Sequence, residues 1–600
     1  MRQCRKLSGS SERPSTTLLP AGAPSARFAG RVVSIAVSLL ALCLLPAPPA
    51  SALTPAEIDA GNRASQRVQI EQQERQQQQL REDERRRQET KLLELPEPKA
   101  PSVPKGGVCR EIREIILTGV TLLPEGLKEA LAAPYVNRCL YAEDIEKLLA
   151  DILKAYMDRG YVAVRPYVQA QDLSQGRLEI LIVEGKVEGF LLKDGRTTFP
   201  SLNITTAFPF VPGKPLNLRD IEQGLDQVNR LASNNATMEI SPGKDSGNSV
   251  VTITNTPAFP LSFSSTLDNQ GGLSTGRNQG SYTLSVDNPL FLNDFITYTH
   301  RNTLFEEHQY RDSVSDSFFY SIPFGYFTFQ ASYSASNYHS PMMTSASELV
   351  SRGTSETLRL ELNAVAYRDQ DQKLTALVAL NSKATKSYLA DEFLAVSSRN
   401  LAVADADVNW TRRFPWFSVN AGLGYSMGLR QFHAKVDEDG TGVTSPHAQG
   451  AKFRYSGGIA VPFEVLGQEL NFSSQLTGQL ATEVLYGSEQ ISLGSQYSIR
   501  GFNRNSLSGD RGWYVRNELT TSLPKLPFTD ITPRPFIAFD GGRIEAFKGT
   551  KDANLTGVAG GFRFGSKHIS GEISAAKSLS VPYTIQREPV QFVTTLTVSF

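Results

Sequence analysis

Over its last 344 residues (600 − 256) the chain alternates polar and apolar positions in short runs. Examples are Ser281-Tyr282-Thr283-Leu284-Ser285-Val286, Phe318-Phe319-Tyr320-Ser321-Ile322, Phe327-Thr328-Phe329-Gln330-Ala331-Ser332-Tyr333 and Leu358-Arg359-Leu360-Glu361-Leu362. A period of two sends successive side chains to opposite faces of a strand, so each such strand separates an apolar medium from a polar one. At roughly 21 residues per strand with its loop, the span predicts about 16 strands. After the first fifty residues no apolar run reaches the ~20 residues of a membrane helix. A membrane-spanning form must then be a closed antiparallel β-barrel, which satisfies its own backbone. A soluble array of β-sandwiches would alternate too, but it leaves the ending unexplained. There Phe592, Leu596, Val598 and the terminal Phe600 fall on one face, and Val593, Thr595, Thr597 and Ser599 on the other.

Upstream the pattern changes to strand, helices, strand, strand. Ile112 to Leu117 reads as a strand ending at Gly119, and Leu127 to Leu131 as a short helix. Ile145, Leu148, Leu149, Ile152 and Tyr156 line one face of a second helix that Gly160 stops. Tyr161-Val162-Ala163-Val164 and Leu178 to Val183 read as two further strands. A weaker copy lies downstream: Val187 to Leu192, a helical stripe of Leu218, Ile221, Leu225, Val228 and Leu231 opened by Asn217, and Val250-Val251-Thr252-Ile253. Two tandem α+β modules are an internal repeat. Each would offer a strand edge and a helix groove able to accept an extended peptide, or serve as a plain spacer.

The first hundred residues carry other patterns. Arg27 and Arg31 precede the apolar run Val32 to Leu45, and Ala50-Ser51-Ala52 has the small residues of an export cleavage site. Residues 53–106 are polar, with Glu71–Arg75, Glu82–Arg86 and Asp83–Arg87 at helix-supporting spacing and no core-facing stripe. They predict either a solvated helix or linker, or a polar helix whose first turns occupy a water-filled lumen. Pro96, Pro98, Pro101 and Pro104 then stiffen the approach to the first module. The expected division is 1–52 signal peptide, 53–106 helix and linker, 107–187 and 188–256 the two modules, and 257–600 the barrel.

Composition narrows the function. With 61 basic and 61 acidic residues there is no global nucleic-acid signature. Export would remove Cys4 and Cys43, leaving Cys109 and Cys139, which read as one disulfide tying the entry of the first strand to the loop before the second helix. Gly424-Tyr425-Ser426-Met427-Gly428 has the spacing of a nucleophile elbow but lies in alternating β sequence with no following helix. The six histidines lack ligand spacing, and Asp437-Glu438-Asp439-Gly440 lacks the rest of a calcium loop. No enzyme, metal or cofactor is expected.

One stretch stands apart. Leu493 to Phe502 is polar and glycine-rich around Arg500, which precedes Gly501 and Phe502. Further on, Asp540 interrupts the strand-like run Phe536-Ile537-Ala538-Phe539 and is followed by Gly541 and Gly542. A guanidinium on a long loop and a lone carboxylate on a barrel wall can lock that loop inside the lumen, since the contact is bidentate and directional. The plainer reading is a solvated arginine in a glycine-rich hairpin.

These features together resemble the outer-membrane transporters of two-partner secretion, the TpsB family that exports haemolysins and filamentous adhesins, over almost the whole mature chain. Cys109 and Cys139 with Gly160-Tyr161 and Gln171 to Gly176 look like the family's first POTRA module, and Asp220 to Leu231 with Pro242-Gly243 like its second. Ile499-Arg500-Gly501-Phe502 is similar to the V-R-G-Y/F loop motif, with Ile for Val, and Leu507 to Gly512 with Glu518 to the family's residues just beyond that motif. Asp540 and Gly542 match an F-x-D-x-G strand motif whose first position is Ala538 here. The final strand resembles the signal read by the barrel assembly machinery. The resemblance implies a pore without ATP, in which POTRA modules capture a secreted TpsA-type exoprotein (haemolysin or adhesin) and Arg500 is the latch with Asp540 its wall partner. It implies partners in outer-membrane lipid and the barrel assembly machinery, and none in nucleic acid. The rival readings are a barrel-assembly factor, which more than two POTRA modules would favour, and a passive porin, which would have none.

Overall fold

The computed structural model describes residues 108–600, apart from a few short stretches, and most of 57–70. The expected signal peptide, the proline-rich linker and the helix beyond residue 70 lie outside the described residues.

The first module places the strand Arg177–Val183 between Glu114–Thr118, which runs parallel to it, and Arg165–Val168, which runs antiparallel. Its alternating Leu178, Ile180 and Ile182 are buried against Leu148, Ile152 and Tyr156 of the helix Ala142–Met157. That helix begins where the Asp144 carboxylate accepts the Tyr141 N–H at 2.9 Å. It gives way at Gly160, whose φ of +88° and contact with Asn217 leave no room for a Cβ. At the end of the Arg177–Val183 strand, burial pushes the Glu184 carboxyl up. Hydrogen bonds from Thr121, Leu122 and Tyr156 outweigh that and hold it below the ordinary glutamate range.

Three expectations for this region are corrected. Ile112 to Leu117 is not one strand: Arg110–Ile112 and Glu114–Thr118 are separate, because the Gly176 carbonyl accepts the N–H of both Arg113 and Glu114. Tyr161-Val162-Ala163-Val164 is a turn, and the strand starts at Arg165. Val162 and Ala163 are apolar because they pack on the core of the second module. Cys139 lies in the strand Arg138–Leu140 opposite Glu111 and not in a loop; it is bonded to Cys109, with Cα atoms 5.4 Å apart.

In the second module Asn248–Asn255 lies between Lys186–Asp194 and Ala236–Pro242, the last a strand without a sequence signal of its own. Asn217 caps the helix Leu218–Asn229 by accepting the Arg219 N–H at 2.8 Å. The stripe of Leu218, Ile221, Leu225 and Val228 faces or borders the module's core. The opposite face is polar and equally buried, because it docks on the barrel. Gln223 and Gln227 donate to the Gly325 carbonyl at 3.1 and 2.9 Å, Asp226 pairs with Arg368, and Asp220 accepts the Tyr326 hydroxyl. This marks the turns at Gly325 and Asp369–Asp371 as the module-side, periplasmic rim.

Among the described residues sixteen antiparallel strands close the barrel, from Leu261–Asp268 to Gln591–Ser599. Strand length rises from 8 residues at Leu261–Asp268 to 21 at Glu348–Arg368. Leu358, Leu360 and Leu362 are exposed on the outside, while Arg359 and Glu361 turn inward and pair with each other at 2.7 Å. The first and last strands meet with Leu267 opposite Leu596 and Ser265 opposite Val598. The terminal Phe600 N–H extends that seam to the Phe263 carbonyl at 2.9 Å. Phe592, Leu596 and Phe600 are exposed, with Val598 half-buried in the same alternation.

Candidate functional site

Between the strands Gln468–Ala481 and Arg511–Thr521 the chain makes an excursion that folds back into the lumen. A short hairpin of Ile491–Leu493 with Leu507–Gly509 carries its tip. Apolar residues hold it against the wall: Leu493, Ile499 and Phe502 are fully buried with Ile544 and Leu555 of the strands Thr532–Ile544 and Ala553–Gly565. Most of the tip's flanking sequence is polar, but its two motif hydrophobes drive it onto one side of the barrel.

Arg500 sits at the centre of this patch. Its Nε donates to Asp540 Oδ2 at 2.7 Å and its Nη2 to Asp540 Oδ1 at 2.8 Å. Its backbone N–H reaches the same Oδ2 at 3.1 Å, so the carboxylate holds both the side chain and the turn. Nη1 donates to Glu518 Oε2 at 2.7 Å. Asp540 is wholly inaccessible and Arg500 is 5% exposed. This is the fork geometry that makes arginine, and not lysine, suited to the position. Glu518 is shared with Arg563, which also pairs with Glu572 at 2.9 Å. Charge therefore continues across four wall strands.

Glycines permit the close approach. Gly501 has φ +94°, and a Cβ there would lie 2.4 Å from the Lys577 carbonyl carbon. A Cβ on Gly557 would lie 1.9 Å from the Arg500 carbonyl oxygen, and one on Gly542 would lie 2.6 Å from the Trp513 carbonyl oxygen. The structure thus brings Ile499, Arg500, Gly501, Phe502 and Asp540 into one cluster. Gly542 lies two residues further along the same strand, and Cys109 and Cys139 lie apart in the first module. Sequence reasoning missed Glu588, whose carboxylate accepts the N–H groups of Asn503, Arg504 and Asn505, each at 2.9 Å. It also missed Arg563, Glu572 and Gly557. A single acid in a loop gives no pattern to read, so nothing in the chain pointed to Glu588.

The lumen also holds the described helical residues between 57 and 70. Ser65 Oγ lies 2.7 Å from Ser387 Oγ, Gln69 donates to Ser65 at 3.2 Å, and Asn62 accepts from Ser397. Gly61 approaches Leu389 and Leu394 closely. Ser387 and Leu389 lie at the end of their strand away from the module-side rim, so the helix occupies the outer half of the lumen. Every one of these contacts is uncharged.

Other candidates are tied down structurally. Ser426 lies inside the strand Ser418–Leu429 and donates to Asp405 at 2.6 Å. Asp437 accepts the N–H groups of Ala448 and Gln449 and pins its own loop. Among the described residues no group of three or more His, Cys, Asp or Glu side chains is arranged to hold a metal ion.

Two tandem modules on the inner rim of a sixteen-strand barrel, with an ion-paired loop in its lumen, define an outer-membrane transporter whose modules stand in the periplasm. The chain belongs to the haemolysin secretion/activation protein family ShlB/FhaC/HecB, whose model matches residues 247–564. A ShlB-type POTRA domain matches 111–185 and a further POTRA domain 186–242. The chain is 34% identical over 488 residues to the outer membrane transporter CdiB of Dickeya dadantii, covering 81% of this chain and 85% of that one. To the hemolysin transporter protein ShlB of Serratia marcescens it is 31% identical, covering 75% and 78%. The solved structure of CdiB from Escherichia coli superposes with a TM-score of 0.81 at 32% identity, covering 92% of this chain and all of that one. The chain is thus an outer-membrane transporter of two-partner secretion.

Proposed function

We propose that the two POTRA modules capture an unfolded partner exoprotein of the haemolysin or adhesin kind, and that the exoprotein leaves through the lumen once the helical residues 57–70 vacate it. What carries this reading is the contrast between the two elements that occupy the lumen. The hydrogen bonds that Ser65, Gln69 and Asn62 make there are neutral, each worth about 1 kcal/mol net. The loop is held by a buried bidentate ion pair, and breaking such a pair costs about 3–5 kcal/mol. In this reading the helix leaves first. The loop stays as a latch, with Arg500 gripping Asp540, or shifts only under the load of the client. No catalytic step and no nucleotide enters, and folding of the exoprotein outside supplies direction. The outward face of Phe592, Leu596, Val598 and Phe600 suits both lipid contact and recognition by the barrel assembly machinery.

The test is reconstitution in a host lacking both partners, using the secretion domain of the exoprotein encoded beside this chain. The domain is expected in the medium when the chain is present and in the periplasm when it is not. A domain retained in the periplasm in both cases contradicts the reading. A change in the levels of other outer-membrane barrels, with no secretion, would favour an assembly factor.

A further inference from the structure

The lumenal excursion carries a second buried charge that the Arg500–Asp540 pair does not explain. Glu489, 8% exposed, accepts from Lys383 Nζ at 2.5 Å through one oxygen and from Lys452 Nζ at 3.1 Å through the other. Its carbonyl accepts from Lys452 at 2.7 Å and from Gln479 at 3.0 Å. Lys383 and Lys452 belong to the strands Gln372–Leu389 and Ala451–Val465, and Arg399–Arg413 and Ser418–Leu429 run between these in the sheet. One carboxylate thus ties the base of the excursion to two separated points on the wall.

The same wall seats the helix. Ser387, which meets Ser65, is four residues from Lys383 and so on the same inward face. Leu389 and Leu394 close on Gly61, and Ser397 donates to Asn62. The remaining side is the excursion itself: the Cβ position of Gly487 lies 3.5 Å from the Gln66 side-chain amide. Next to it, the Tyr486 ring lies 4.7 Å under the Arg399 guanidinium.

We propose that Glu489, clamped by Lys383 and Lys452, is the positioning residue that keeps the 485–489 segment in place as the loop-side wall of the helix's seat, and so retains the plug. This rests on the reading of the helix as a removable plug. The Arg500 cation then fixes the latch at the excursion's tip, and the Glu489 anion at its base sets how readily the helix leaves. The wall of the seat, beside the helix's own contacts, then sets its dwell time. Either anchor can break without the other.

The experiment uses the full chain in outer membranes with Ser65→Cys and Ser387→Cys as a reporter, since these side chains touch. The parent carrying the reporter is expected to cross-link in most molecules. Adding Glu489→Gln leaves two buried ammonium groups facing an amide. It should cut the cross-link yield about threefold and raise the frequency of open-channel events, in the parent without cysteines, about tenfold. Lys383→Met should move both readouts the same way, and it stands in if the Glu489→Gln barrel does not insert. Unchanged yield and unchanged opening in the variant that inserts would overturn the clamp. Absence of cross-linking in the parent would instead overturn the plug.

Discussion

Arg500→Ala is expected to lower secretion of the partner at least about tenfold while the barrel still inserts and remains heat-modifiable. Asp540 is fully buried and would lose both side-chain donors, keeping only the Arg500 backbone N–H. Glu518 would lose one donor but keep Arg563. Leaving one member of a buried pair uncompensated costs about 3–5 kcal/mol, enough to release the loop tip from the wall. The sixteen-strand ladder does not depend on this contact, so assembly should survive. Arg500→Lys should recover little, because an ammonium cannot span both Asp540 oxygens and Glu518 in one plane. Secreted partner in the medium and a gel-shift assay of the unheated barrel check both halves of the statement.

Gly501→Val is expected to match that loss without removing any charge. The left-handed φ of +94° disfavours a β-branched residue, and the new side chain would meet the backbone of Lys577 and Ser578 within 3 Å. Neither neighbour is the end of a flexible side chain, so the tip must lift off the strand Ile569–Ser580. Arg500 would be carried out of line with Asp540. Protease sensitivity of the excursion in intact barrels, together with secretion, tests this. A resistant loop with normal secretion would show that the tip tolerates the displacement.

How much of this was legible beforehand differs from part to part. The period of two exposed the barrel because lipid and lumen impose opposite demands on neighbouring side chains, as in Leu358, Arg359, Leu360 and Glu361. The helix Leu218–Asn229 was legible on its apolar stripe, but nothing in the stripe told that Arg219, Glu222, Gln223 and Gln227 are buried as well. Tyr161 to Val164 failed for the reverse reason: Val162 and Ala163 serve contacts with the second module, and Tyr161 and Val164 fill the first module's core from a turn and not a strand. The pairing of Arg500 with Asp540 could be anticipated because each is a lone charge in an otherwise uncharged stretch. Glu588 and the Lys383–Glu489–Lys452 cluster could not, since their members lie far apart in the chain and acquire meaning only when the barrel closes.

The central claim is that the path now filled by the helical residues 57–70 is the path the exoprotein takes. Its most direct test is secretion by the Ser65→Cys, Ser387→Cys chain with the cross-link closed and then reduced, beside a parent given the same reductant to control for the Cys109–Cys139 bond. The account predicts that the exoprotein stays in the periplasm while the helix is tethered and reaches the medium at the parental rate after reduction. Secretion at the parental rate with the tether fully closed would contradict it.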